Sequence, residues 1–208
     1  MISAISATCS NMNKSIDDAV IKLAKDLDLN PEFFNFIVRE DDWSFIIKLH
    51  ALIEAAITEL LTSHLGKGRL NEVIQRMTLN GKSGRIAFVK ALDLLSPGDI
   101  TFVRQLSKLR NSWVHKIKNV NMNLHLHVKH LSEKEFAEFS NALGVTLGAS
   151  KDKKQLMKDN PKISIHLRAF LFLSELYSKK QSAIIQQALE SIASGEFDFE
   201  ASLKQPSV

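Results

Sequence analysis

Apolar residues recur along most of this chain at intervals of three and four, the spacing that lines one face of a helix. Ser15 and Asp18 resemble a capping box. Ile16, Ala19, Val20, Leu23 and Leu27 then follow at helical spacing. Asn30-Pro31 sets a cap and a fixed φ ahead of the short aromatic segment EFFNFIV. Asp41 and Asp42 can cap a longer helix from about Trp43 to Leu65, which Gly66 ends. Its apolar positions include Phe45, Ile46, Leu49, Leu52, Ile53, Ala56, Ile57, Leu60 and Leu61. A stripe that wide implies burial on more than one side.

Gly66-Lys67-Gly68 breaks the pattern. A short helix over about 70–78 ends at the Asn80-Gly81 turn, and another covers about Gly84 to Leu95. Ser96-Pro97-Gly98-Asp99 stops that helix and starts the next, whose core stripe is Phe102, Val103, Leu106, Leu109 and Trp113. In NMNLHLHVKHL (121–131) apolar and polar residues alternate with period two, which predicts a short strand or extended arm over 122–128. Ser132 and Glu135 form a capping box for a further helix, with Leu131 placed to staple onto Phe136. Residues 144–162, polar and rich in Gly and Lys, read as a connection ending at Asn160-Pro161. A long helix over about Ile163 to Ala193 follows and stops at Gly195.

Composition agrees with helices. Hydrophobic side chains make up 45% of 208 residues, enough to fill a core, with only 8 Gly, 4 Pro and 1 Tyr. The single Cys9 excludes an intramolecular disulfide and a cysteine zinc cluster, and it fits a reducing compartment. No apolar run reaches the ~18–20 residues needed to cross a bilayer. The opening MISAISATCSNMNKS has no basic start before an apolar stretch, so no secretory signal and a cytoplasmic location are expected. The net charge of +4 permits an anionic partner without requiring one. Lys108, Arg110, Lys116 and Lys118 crowd one short string. Lys151, Lys153, Lys154, Lys158 and Lys162 occupy the later polar stretch and read as solvated.

That string is Arg110-Asn111-Ser112-Trp113-Val114-His115. Arg holds phosphate through a planar fork of donors, and His moves protons near neutral pH. Positions five apart lie about 140° apart around a helix, so Arg110 and His115 do not share a face, whereas Asn111 and His115 do. Arg110 must reach around on its long stem, or the helix must loosen at its end. The plain alternative is a surface Arg, a capping Asn and a His at the negative end of the helix.

The string resembles the R-N-x-x-x-H signature of HEPN domains (higher eukaryotes and prokaryotes nucleotide-binding), many of which are metal-independent endoribonucleases acting as toxins or in antiviral defence. A longer likeness, over about residues 43–180, joins LHALIEAAITELL, SGRIAFVKALDLL with the turn after it, the motif helix and RAFLFLSELYSKK. It is similar to mannitol operon repressor-like proteins. The resemblance implies an all-α, HEPN-like antiparallel bundle of about five main helices with a long C-terminal helix and at most one short extended arm. One domain would span 1–208, with its core at about 15–118 and a helical C-terminal extension at about 132–195.

It also implies roles. Arg110 and His115 would be the catalytic pair and Asn111 would support them. Glu54 would be the acidic residue of an earlier helix, with Arg110 as a possible partner and Glu59 as its rival. Lys108, Lys116 and Lys118 would bind RNA. No metal or cofactor is implied. The ribose 2′-oxygen would attack phosphorus, with His115 moving the proton and Arg110 stabilising the phosphorane. One imidazole cannot easily serve both ends of an in-line attack, so a homodimer is expected. An antitoxin or regulatory protein is a possible further partner. The competing expectation is a non-catalytic transcriptional regulator acting through protein contacts.

Three other groups have bland readings. His125, His127 and His130 in an extended segment would form an outward polar row, with metal binding or, with Lys129, a nucleic-acid-facing edge as alternatives. Gly81-Lys82-Ser83-Gly84 echoes a phosphate loop, but Arg76 stands where the first Gly belongs, so it reads as a turn. Phe33, Phe34, Phe36 and Trp43 read as core or dimer surface, since a base-stacking sheet would need strands.

Overall fold

The computed structural model describes residues 18–66, 70–115, 121, 123–145 and 150–194, and every regular element among them is a helix. Helix α1 covers 18–26. It is followed by α2 (Phe33–Ile37), α3 (Asp42–Leu65), α4 (Asn71–Arg76) and α5 (Arg85–Ala91). Next come α6 (Pro97–Val114), α7 (Leu124–Lys129), α8 (Glu133–Leu143), α9 (Ser150–Asp159) and the 33-residue α10 (Pro161–Ala193). No described helix is long and apolar enough to cross a membrane.

Local chemistry sets most boundaries. The Asp41 carboxylate accepts the Ser44 N–H at 2.9 Å and opens α3, which Gly66 closes at φ 65°. Ser96 and Asp99 form a reciprocal capping box at the start of α6, with Pro97 in its first turn. Ser132 and Glu135 do the same for α8. Asp42 caps nothing. Its carboxylate accepts the Leu124 N–H at 2.7 Å and pairs with Lys162 at 2.9 Å, so one side chain ties the starts of α3, α7 and α10 together.

Helix α3 is the axis of the bundle. It buries Phe45, Ile46, Leu49, Ile53, Ile57, Leu60 and Leu61 to 1% exposure or less, and α10, α6, α4 and α5 all pack on it. The two longest helices run side by side in the same sense. Lys162 meets Asp42 near one end, and Gln187 donates to the Ser63 and His64 carbonyls near the other. Helix α10 supplies Ile165, Ala169, Phe172, Leu173 and Leu176 to the core. Helices α8, α9 and α10, within the stretch expected as an extension, contribute Phe139, Met157 and Phe172 to the same apolar cluster as Phe45 and Phe102. Lys180 is buried between Asp26 at 2.8 Å and Glu59 at 3.2 Å. Burial alone would lower its pKa, but the two carboxylates outweigh burial and raise it.

Two expectations are corrected. The short strand or extended arm expected over 122–128 is, from Leu124 on, helix α7, and Met122 lies outside the described residues. The Asn123 side chain accepts the His125 and Leu126 N–H groups and starts a turn, which buries Leu124 and Val128, four apart, and leaves Leu126 about half exposed. A six-residue alternation contains the i,i+4 pair that a helix needs, so period two cannot discriminate over so short a span. The polar connection 144–162 contains helix α9. Lys and Gln are good helix formers, and Met157, fully buried, anchors the segment.

His166 on α10 stacks on Phe34 with ring centroids 4.1 Å apart, and burial pushes its pKa down to about 4. The unfolded chain protonates the same ring near 6.5. The unfolded state therefore binds more protons between those values, and stability falls as pH drops from 6.5 towards 4. His166→Phe keeps an aromatic ring against Phe34 and removes that proton. Its melting temperature is expected to fall less than the wild type's between about pH 7 and about pH 5, the remaining slope coming in part from His50 and His127, which burial also lowers.

Candidate functional site

The Arg110–His115 string forms the last turns of α6. Trp113 points into the core at 1% exposure and fixes the rotation of the helix end. Its indole and the His127 ring of α7 meet nearly perpendicular, centroids 6.2 Å apart. Lys108, Asn111 and His115 then fall on one exposed strip, at the i, i+3 and i+7 positions of a single face. His115 is the C-cap residue, its N–H donating to the Asn111 carbonyl. Arg110 emerges on the partly buried flank, and its Nη1 reaches back to the Asn111 Oδ1 at 3.0 Å. The long stem therefore brings the guanidinium towards the exposed strip, as the 140° offset requires. Lys116 and Lys118 lie outside the described residues.

Glu54 lies on the α3 face towards α5 and α6, but its carboxylate pairs with Arg85. The expectation of Arg110 as its partner is corrected. Arg85 is 5% exposed and also donates to the Thr58 hydroxyl at 2.6 Å, so it reaches the carboxylate from inside the bundle. Gly84 lets this happen. A Cβ there would lie 2.7 Å from the Asn80 carbonyl oxygen, in the turn whose Thr78 carbonyl accepts the Arg85 N–H. The rival Glu59 is committed to Lys180.

His50 joins this cluster. Its Nδ1 stands 3.7 Å from the Glu54 Oε2, and its Nε2 is 3.0 Å from the Ser107 hydroxyl on α6. Ser107 donates in turn to the Val103 carbonyl. Burial lowers the His50 pKa. Glu54 opposes that, while Arg110 and Arg85 add to it. Arg110 is thus electrostatically coupled to the His50–Glu54–Arg85 cluster without a direct bond to its carboxylate. Ser107 at 3% exposure and His50 at 8% are shielded from any substrate, so the Ser–His–Glu sequence of contacts is a packing device and not a hydrolytic triad. The His50/Glu54 spacing of four was the visible signal. Its link to Ser107, 57 residues on, was not visible.

The three later histidines do not converge. His127 packs between Trp113 and Phe139, His130 Nδ1 meets its own helix's Leu126 carbonyl at 2.6 Å, and His125 is exposed. Among the described residues no three His, Cys, Asp or Glu side chains cluster as a metal ion would need. Gly81-Lys82-Ser83-Gly84 is a turn, with Gly81 at φ 118°. Phe34 is core, Phe33 and Trp43 pack against it, and Phe36 is about half exposed.

Compared with protein families, with curated proteins and with solved structures, the chain matches none.

Glu54→Gln leaves a buried guanidinium without its carboxylate. Breaking a fully buried pair costs about 3–5 kcal/mol, and the one-third exposure of Glu54 reduces this to about 2 kcal/mol in urea unfolding. The double variant Glu54→Gln/Arg85→Met is expected to recover most of that loss, because no unpaired charge remains. An undiminished unfolding midpoint in Glu54→Gln would contradict the pairing.

Proposed function

We propose that the chain is a metal-independent endoribonuclease in which Arg110 and His115 act on the scissile phosphate, supported by Asn111. One observation carries the reading. Among the described residues the Arg110 guanidinium makes no ion pair; its hydrogen bond goes to a neutral amide oxygen, while the nearby carboxylate of Glu54 is taken by Arg85. A carboxylate partner would offset the guanidinium's charge and occupy part of the donor fork that binds a phosphate. Arg110 keeps its charge and most of its donors, about 1.4 helical turns from an exposed imidazole, with the Lys108 ammonium on the imidazole's strip.

The chemistry follows from the groups. The His115 imidazole takes the 2′-hydroxyl proton, or delivers one to the leaving 5′-oxygen. Arg110 donates to the non-bridging oxygens as charge builds on phosphorus. Asn111 holds the guanidinium at the edge of the strip. A second protomer meeting the first across the exposed end of α6 would bring the second imidazole that in-line cleavage uses. A toxin or antiviral-defence role, with a silencing protein partner, fits a nuclease without a cofactor to control it.

A different observation favours the second reading, a non-catalytic regulator working through protein contacts. Ile184, Ile185, Leu189 and Ile192 are exposed along the last turns of α10. Positions 185, 189 and 192 follow the i, i+4, i+7 spacing of a helix-docking face.

The first reading predicts that purified protein cleaves single-stranded RNA in EDTA and leaves cyclic-phosphate ends. Arg110→Ala and His115→Ala are each expected to lower the rate at least ~100-fold, the scale of lost acid–base or oxyanion stabilisation, with helical circular dichroism unchanged. Full activity in His115→Ala sinks it. Inert wild type that copurifies with a protein, and loses it on Leu189→Glu, selects the regulator.

A further inference from the structure

A groove of about 370 Å³ opens between α7, α8 and α9. Its floor is apolar, made by Val128, Leu131 and the ring of Phe136. Its rim is charged. Lys129 and His125, four apart on α7, share one side, Lys158 of α9 stands on another, and Glu133 of α8 adds a carboxylate. The Lys158 ammonium lies over the Phe136 ring, 5.3 Å from its centroid. Lysine's four-carbon stem lets the ammonium swing aside for a flat ligand.

The groove thus offers an aromatic face reached by displacing one flexible lysine, two ammonium groups and an acceptor within one small volume. Inorganic phosphate would satisfy the lysines and leave the floor bare. A fatty acid would cover the floor and give Glu133 nothing to accept. A flat heterocycle carrying a phosphate and hydroxyl or amine donors answers all three, and the volume sits in the range of about 300–1,000 Å³ usual for small-ligand pockets. We propose that this groove binds one nucleoside monophosphate unit. The base stacks on Phe136, the phosphate sits between Lys129 and Lys158, and Glu133 accepts from a ribose hydroxyl or an exocyclic amine. The unit is either a free nucleotide or one residue of an RNA strand. The site uses neither Arg110 nor His115 and does not rest on cleavage, so the two readings fail separately.

Calorimetric titration of the Arg110→Ala protein, which leaves RNA intact if Arg110 is catalytic, tests this with AMP, UMP, inorganic phosphate and a short single-stranded RNA. Saturable one-to-one binding of AMP or UMP is expected, with inorganic phosphate at least ~10-fold weaker. Phe136→Leu should weaken nucleotide binding ~10-fold, the scale of one lost base stack. Lys158→Glu, at an exposed position and with helical circular dichroism checked against wild type, should weaken it comparably and flatten its salt dependence. RNA binding more tightly than AMP assigns the groove to a strand, and the reverse assigns it to a free nucleotide. No saturable binding of nucleotide or RNA overturns the proposal. So do equal affinities for phosphate and AMP, or affinity untouched by Lys158→Glu. Should Phe136→Leu fail to fold, the Lys158→Glu result decides alone.

Discussion

Helix α3 carries an apolar stripe too wide for one neighbour to cover, and this one fact organises the bundle. A helix that buries seven large side chains to 1% exposure or less cannot lie on the surface. Several neighbours must cover that stripe, and α10, α6, α4 and α5 do so. The long α10 answers this demand with Ile165, Phe172, Leu173 and Leu176 along the same axis. Polar contacts then set the register. Asp42 holds three helix starts together, Lys180 bridges Asp26 and Glu59, and Arg168 pairs with Asp99 at 2.5 Å where α10 meets the start of α6.

The candidate site inherits its geometry from this packing. Burying Trp113 rotates α6 so that Lys108, Asn111 and His115 face outward and Arg110 lies on the flank towards α3. Burying Arg85 beside Glu54 then decides the electrostatics. Had Glu54 met Arg110 instead, the guanidinium would be neutralised and fixed. Because a guanidinium from α5 takes the carboxylate first, Arg110 keeps only an amide partner and its charge stays available to an anion. The polar cluster of His50, Glu54, Arg85 and Ser107 therefore bears on the site from beneath, by charge and position.

The chain's own pattern made much of this legible. The caps at Asp41, Ser96 and Ser132 and the stop at Gly66 follow from side-chain hydrogen bonds to residues three away and from backbone conformation at one residue, which are local properties. The core faces of α3 and α6 follow from periodicity over many turns. Short elements were harder. In Leu124–Lys129 the same residues satisfy both a strand and a helix pattern, and the Asn123 cap with Trp113 and Phe139 nearby decides for the helix. In α9 abundant lysines read as a loop, because the segment's core anchor, Met157, is a single residue without a stripe around it.

The sequence by itself determined that the protein is helical, where the long helices begin and end, and that a cation, an amide and an imidazole share the end of one of them. Each of these depends on neighbours within a few residues, and the spacing records them directly. Which carboxylate meets which guanidinium, which rings close over Trp113, and that three helices enclose a groove with Phe136 at its floor were decided only by tertiary structure. Those contacts join residues tens of positions apart. Their distances are set by how whole helices pack around α3, and no local pattern carries that information.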